Sequence, residues 1–269
     1  MATASVTAAL GERALEGYES HLRARGRSTG TVDKRVYYVR RMLRDLEMPP
    51  AMVTWAELET WLAAHTWAAA TRASVVATLR SFFEWTVVAG IRPDNPAAGL
   101  HSPGQPPPCP KPMPEAALVA GLEASVGTEV WWLLRLLATT GLRRSEAAGL
   151  CSDDVSAGWI RVTGKGSKTR RVPVPPDVEA WIASRGGWVF PSPYGGHVTP
   201  DAITKRVERA TGYPPHTLRH RYATRAYRAS HDLRSVQRLL GHSSIATTER
   251  YIAGDDDELV AAASVTWAA

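Results

Sequence analysis

The chain has 269 residues, 44% apolar and 22% charged, enough for two soluble domains of ordinary size with separate cores. It contains no run of about 18 uninterrupted apolar residues, and its start lacks a basic segment followed by an apolar one, which argues against a membrane span and a secretory leader. Its 32 Lys and Arg against 26 Asp and Glu give a net charge of +6, which points to an anionic partner, nucleic acid first.

Four helical segments are expected in the front half. The first runs over about 7–25, with Leu10, Leu15, Tyr18 and Leu22 near one face. The second, about 31–47, repeats Val32, Val36, Val39, Leu43 and Leu46 at steps of four and three, the spacing of a buried stripe. Lys34, Tyr37, Arg41 and Arg44 fall opposite that stripe, on a face that either contacts DNA or is simply solvated. Thr54-Trp-Ala-Glu57 is a capping box that opens a third helix carrying Leu58, Trp61 and Leu62. A fourth, about 71–89, packs Val75, Leu79, Phe82 and Phe83 and stops at Gly90; its Arg72 and Arg80 either reach a DNA backbone or serve solubility.

Residues 101–114, HSPGQPPPCPKPMP, are half proline. They cannot continue a helix or a central strand, and they favour extended polyproline geometry. The expected organisation is therefore a helical domain over 1–100, a linker over 101–114 and a second domain over 115–269. Behind the linker, helices are expected over 114–125 and 129–140, the latter ending at Gly141. The period then changes. Trp159–Thr163 and Arg171–Val174 read as short strands joined by the turn Gly164-Lys-Gly-Ser167. Further helices follow: one led by Pro176, one capped at Thr199-Pro200, and others near 217–229, 232–240 and 244–252.

Four stretches of the second domain carry polar residues suited to phosphate chemistry: Thr140-Gly-Leu-Arg-Arg-Ser-Glu146, Gly164-Lys-Gly-Ser-Lys-Thr-Arg170, His216-Thr-Leu-Arg-His220, and Leu240-Gly-His242 with Tyr251 nine residues on. Each alone has a plain alternative: a surface arginine, a turn, a surface His/Arg pair, a tyrosine packed on a helix. In this order, behind a helical domain and a linker, the set resembles the tyrosine recombinases, the family of phage integrases and Xer-type chromosome-dimer resolving enzymes. The resemblance covers most of the chain.

It implies a mainly α, two-domain protein. A four-helix, SAM-like core-binding bundle would precede a mixed, mostly helical catalytic domain with a small antiparallel sheet. The family's catalytic residues fall on Arg143, Lys165, His216, Arg219, His242 and Tyr251, with Tyr251 the nucleophile. Arg144 and Lys168 are the neighbours open to confusion with Arg143 and Lys165. Glu146 would orient part of the pocket, unless it is a plain helix-surface carboxylate, and His220 would be a support residue. Double-stranded core-type recombination sites are the implied substrate. A C-terminal helix, about 255–265, would dock protomers into a tetramer on DNA, with an accessory directionality factor as a further partner.

Elementary chemistry points the same way. Charge gathers on phosphorus oxygens during transfer, and two arginines supply preorganised donors to them. On a helix, His216 and Arg219 lie one turn apart on a shared face. A tyrosine of pKa about 10 is ionised in about one molecule per thousand at neutral pH. It therefore needs a base, for which His216 is the candidate, or a cationic pocket. Lys165 would protonate the departing 5′ oxygen and His242 would hydrogen-bond the phosphate. A 3′-phosphotyrosyl link conserves the energy of the cut bond, so neither metal, ATP nor another cofactor is expected. No phosphate-binding Gly-rich loop motif and no His-Glu-x-x-His pair occurs. Asp255–Glu258 is either a metal site or, preferably, the acidic first turn of the C-terminal helix.

The isolated cysteines Cys109 and Cys151 fit a reducing cytoplasm, in a nucleoid-associated protein. The first helix starts almost at Met1, which fits either a compact integrase of a phage or mobile element without a separate arm-binding domain or a resolvase-like enzyme, and the compact integrase is the expectation. The alternatives are a Xer-type resolvase, a type IB topoisomerase and a DNA-binding protein without catalysis.

Overall fold

The computed structural model describes residues 2–102, 104, 111–164 and 169–241. The expected helix over 244–252, the C-terminal docking helix, Cys109 and half of the proline-rich stretch lie outside them. The chain divides into two compact units, Met1–Pro106 and Pro107–Ala269. Among the described residues, no helix is long and apolar enough to cross a membrane.

The first unit consists of α1 (Ala2–Ala24), α2 (Thr29–Leu46), α3 (Trp55–Ala63) and α4 (Ala69–Val88) around one apolar core. Leu15, Tyr18 and Leu22 are buried, but Leu10 is 49% exposed. Five residues separate Leu10 from Leu15, about 140° around a helix, so it leaves the stripe. In α2, Val32, Val36, Val39 and Met42 are buried, with Leu43 and Leu46 half-buried at the core's edge. The capping box of α3 is present: Glu57 accepts the Thr54 backbone N–H at 2.7 Å, and Glu57 N–H donates to the Thr54 hydroxyl at 3.5 Å. The buried phenol of Tyr18 donates to Ser81 Oγ at 2.9 Å.

The second unit begins with α5 (Glu115–Ala124), α6 (Glu129–Thr140) and a five-residue helix α7 (Arg144–Ala148). A three-stranded antiparallel sheet follows in the order β1 (Val155–Ser156), β2 (Trp159–Thr163), β3 (Thr169–Pro173). The unit continues with α8 (Pro176–Ala183), α9 (Pro200–Thr211), α10 (Pro215–Ser230) and α11 (Leu233–Leu240). Neither α7 nor β1 is apparent in the sequence pattern, since five and two residues carry too little periodicity to register. β3 starts two residues earlier than the alternation suggests, so Arg170 is a strand residue paired with Val162.

Leu133, Leu137, Ile160, Val172, Phe190 and Leu218 belong to the main core of this unit. A separate small cluster, Ala223, Val236 and Leu240, seats α11 on α10.

Candidate active site

The site forms where α6 ends. Gly141 takes the left-handed conformation (φ +61°) that closes the helix, and its N–H donates to Leu137 O. A Cβ there would overlap Cδ1 of Tyr222, so the ring of α10 rests directly on the turn. Glycine is required twice over, by conformation and by contact.

Arg143 follows this turn as the N-cap of α7. Its backbone N–H and its guanidinium each donate to Glu146, at 2.8 Å. Arg144 diverges from it, donating to Asp201 Oδ1 and Thr204 Oγ1 on α9 at 2.9 Å each. The arginine directly after Gly-Leu is thus the one that stays at the turn.

Arg219, on α10, is only 7% exposed and reaches the same place from the other side. It donates to Gly141 O at 2.6 Å and to Leu240 O at 2.5 Å, spanning the ends of α6 and α11. His216, one turn earlier on α10, is exposed, and its ring lies 5.6 Å from that of His220, edge to face. Burial lowers the His220 pKa, helped by the charges of His216 and Arg219, to about 4, so His220 is neutral near pH 7.

Glu146 is not a surface carboxylate: its side chain is 5% exposed. Besides Arg143 it meets Arg170 of β3, whose two terminal nitrogens donate to its two oxygens at 2.8 Å each. Burial pushes the carboxyl's pKa up. The Arg170 and Arg143 hydrogen bonds and the Arg170 charge outweigh this and hold it at about 2. Arg170 also donates through Nε to Leu239 O at 3.0 Å, and its side chain crosses Gly241, where a Cβ would sit 2.7 Å from its Cδ. Arg170 ends the Gly164–Arg170 stretch, but the resemblance gives it no role in the site. The signal was its place two residues before buried Val172, on the inward face of a strand.

The structure therefore brings Arg143, Glu146, His216, Arg219 and His220 into one region of the second unit and adds Arg170 and Tyr222. Lys165, its neighbour Lys168, His242 and Tyr251 lie outside the described residues. Among the described residues, no group of three or more His, Cys, Asp or Glu side chains is placed to hold a metal ion.

The five candidate DNA-contacting residues sit in the first unit. Lys34 and Arg44 are exposed. Arg41 lies over the Trp67 ring at 5.6 Å, and Arg41 and Arg44 approach Asp45 at 3.7 and 2.8 Å. Arg72 donates to Leu62 O at 3.1 Å, and Arg80 donates to Ala97 O at 3.3 Å and to Leu100 O.

A mostly helical unit that gathers two arginines and a histidine about one helix end, with a small antiparallel sheet beside them, has the construction of a strand-transfer catalytic domain. Residues 117–258 match the phage integrase family, and the chain belongs to that family, the tyrosine recombinases. It is 36% identical over 219 residues to the tyrosine recombinase XerC of Rhodospirillum centenum, covering 71% of this chain and 64% of that one. It is also 36% identical over 213 residues to the XerC of Neisseria gonorrhoeae, covering 70% of each. The fold is that of a lambda integrase dimer bound to a COC' core site, with a TM-score of 0.74 at 18% identity over 89% of this chain and 76% of that one. The chain thus spans about two thirds of the length of the curated relatives it matches.

Proposed function

We propose that this protein is a site-specific DNA recombinase that cuts and rejoins strands through Tyr251. The observation that carries this reading is the meeting of Arg143 and Arg219 at the end of α6, with His216 one turn from Arg219. Arg219 is fixed by two backbone carbonyls before any phosphate arrives, which is what preorganised stabilisation of a phosphoryl transition state requires.

In this mechanism His216 takes the proton from the Tyr251 hydroxyl as its oxygen attacks the phosphorus. The P–O5′ bond breaks, and Lys165 protonates the departing 5′ oxygen. Arg143, Arg219 and His242 hold the non-bridging oxygens. The phosphotyrosyl bond keeps the transferable energy, and a 5′ hydroxyl from another strand reverses the steps. The substrate is double-stranded DNA carrying core-type sites. The helical first unit grips the duplex through Lys34, Arg41 and Arg44, while Arg72 and Arg80 are engaged with backbone carbonyls, and the C-terminal helix links four protomers on DNA in the cytoplasm.

The relatives named XerC favour a Xer-type resolvase over the compact integrase expected from the sequence, and an accessory factor would set direction.

Nicked duplexes tiled across the protein's native locus, incubated without ATP or metal, test the chemistry. We expect wild type to form a covalent adduct with one of them and Tyr251→Phe to form none while still binding it. An equal adduct with Tyr251→Phe would move the nucleophile elsewhere, and no adduct from any duplex would remove the recombinase reading. Plasmids carrying two copies of the captured site separate the uses. Recombination between identical sites supports the resolvase; a requirement for two different sites returns the integrase.

A further inference from the structure

We propose that Arg170 is a positioning residue that neutralises Glu146, so that Arg143 keeps its positive charge available to the phosphate. This rests on reading the chain as a recombinase. It concerns a residue on β3 that closes the Gly164–Arg170 stretch but to which the resemblance assigns no catalytic role.

The case is one of charge and geometry. Glu146 is nearly sealed from water, at 5% side-chain exposure, and lies 2.8 Å from the Arg143 guanidinium. It is ionised at neutral pH, its pKa held at about 2 despite burial. Left with Arg143 alone, a buried carboxylate would cancel the charge that a phosphate needs, because low-dielectric surroundings screen such a pair weakly. Arg170 prevents that. Its fork covers both carboxylate oxygens at 2.8 Å, and its side chain is 11% exposed. With Arg143, Glu146 and Arg170 the group carries one net positive charge; without Arg170 it carries none. Arg143 is the more open of the two arginines, at 38% side-chain exposure, so the remaining charge lies on the side a ligand can reach.

The Nε bond from Arg170 to Leu239 O extends the argument. The guanidinium is fixed by the end of α11 as well as by Glu146, so it cannot turn toward a bound phosphate itself. Its role is exerted through Glu146 on Arg143. This separates it from Arg143, which shares Glu146 but whose side chain is 38% exposed.

A second-site test distinguishes charge balance from simple support of the fold. The probe is the tiled duplex that wild type captures, at saturating concentration, with the single-turnover rate of adduct formation as readout. Arg170→Gln should slow that rate by about 100-fold, the scale of silencing Arg143 as one preorganised donor. Glu146→Gln added to it restores the net positive charge, so the double variant should recover by about tenfold or more over Arg170→Gln. Arg170→Lys retains the charge without the fork and should fall between the two. Melting temperatures of all variants, measured alongside, report folding independently of rate.

Recovery in the double variant supports the proposal, since a purely structural loss would add to a second structural loss. A double variant as slow as, or slower than, Arg170→Gln overturns it. So does an Arg170→Gln rate equal to wild type. Failure of wild type to capture any duplex would instead overturn the recombinase reading beneath it.

Discussion

Arg80 in the first unit and Arg219 in the second hold chain ends in the same way, at different depths. Arg80 reaches from α4 to the carbonyls of Ala97 and Leu100; Arg219 reaches from α10 to those of Gly141 and Leu240. Arg80 is exposed, whereas Arg219 is 7% exposed. Arg72 and Arg92 of the first unit likewise donate to carbonyls, of Leu62 and of Pro50 and Val53. In the second unit the guanidiniums also converge: Arg143 and Arg170 share Glu146, while Arg170 and Arg219 share the last turn of α11. The same side chain tidies loops in one unit and builds a rigid cationic site in the other. What separates the roles is a buried carboxylate and a meeting of helix ends.

The largest test of that comparison replaces Arg219 by lysine. A single ammonium is a point donor and cannot span Gly141 O and Leu240 O as the fork does. Adduct formation should fall by about 10² to 10³. Arg80→Lys should leave the rate at saturating DNA within about twofold, because its carbonyls lie in the other unit. If Arg80→Lys slowed chemistry as much as Arg219→Lys, the distinction between tidying and catalytic arginines would collapse.

A second, smaller effect comes from acid. His220 has a folded pKa of about 4 against an ordinary 6.5, because burial and then the charges of His216 and Arg219 disfavour its protonation. The unfolded chain takes up that proton first, so this contribution to stability drains as pH falls from 6.5 toward 4. Glu146 lies at about 2 against 4.5: burial raises it, and its arginine hydrogen bonds more than compensate. Its contribution is present above pH 4.5 and is lost as pH falls toward 2. The Glu146 contribution is of order 3 kcal/mol. Melting profiles from pH 8 to 2 should therefore show two windows. His220→Asn should flatten the upper one and Glu146→Gln the lower one. Neither variant altering the profile would mean that the buried pair does not set the acid limit of the second unit.

How much of this could be read beforehand follows from the range of the forces involved. The α3 cap was legible because Thr54 and Glu57 are three residues apart and complete each other locally. The end of α6 was legible in Gly141 for the same reason. The contact of that glycine with Tyr222, and the bond from Arg219 to its carbonyl, join residues about eighty positions apart and leave no local mark. Arg170 is intermediate. Its inward register with Val162 could have been read had β3 been started at Thr169, but the apolar alternation becomes visible only from Arg171, with Val172 and Val174. Nor could burial of Glu146 be inferred from a five-residue helix whose place is set by tertiary contacts.

The smallest effect concerns the first unit alone. Arg44 has a side chain 73% exposed and only a surface partner in Asp45, an interaction that contributes little and is readily exchanged for a phosphate. Arg80 already spends its donors on Ala97 and Leu100. Arg44→Gln should thus reduce the slope of log affinity against log salt by about one, the signature of one lost phosphate contact, with little change in melting temperature. Arg80→Gln should do the opposite, lowering stability by about 1 kcal/mol with the slope unchanged. An altered slope for Arg80 and none for Arg44 would reverse the assignment. Free donor capacity, rather than position on a basic helix, would then be a poor guide to which arginines of this bundle meet DNA.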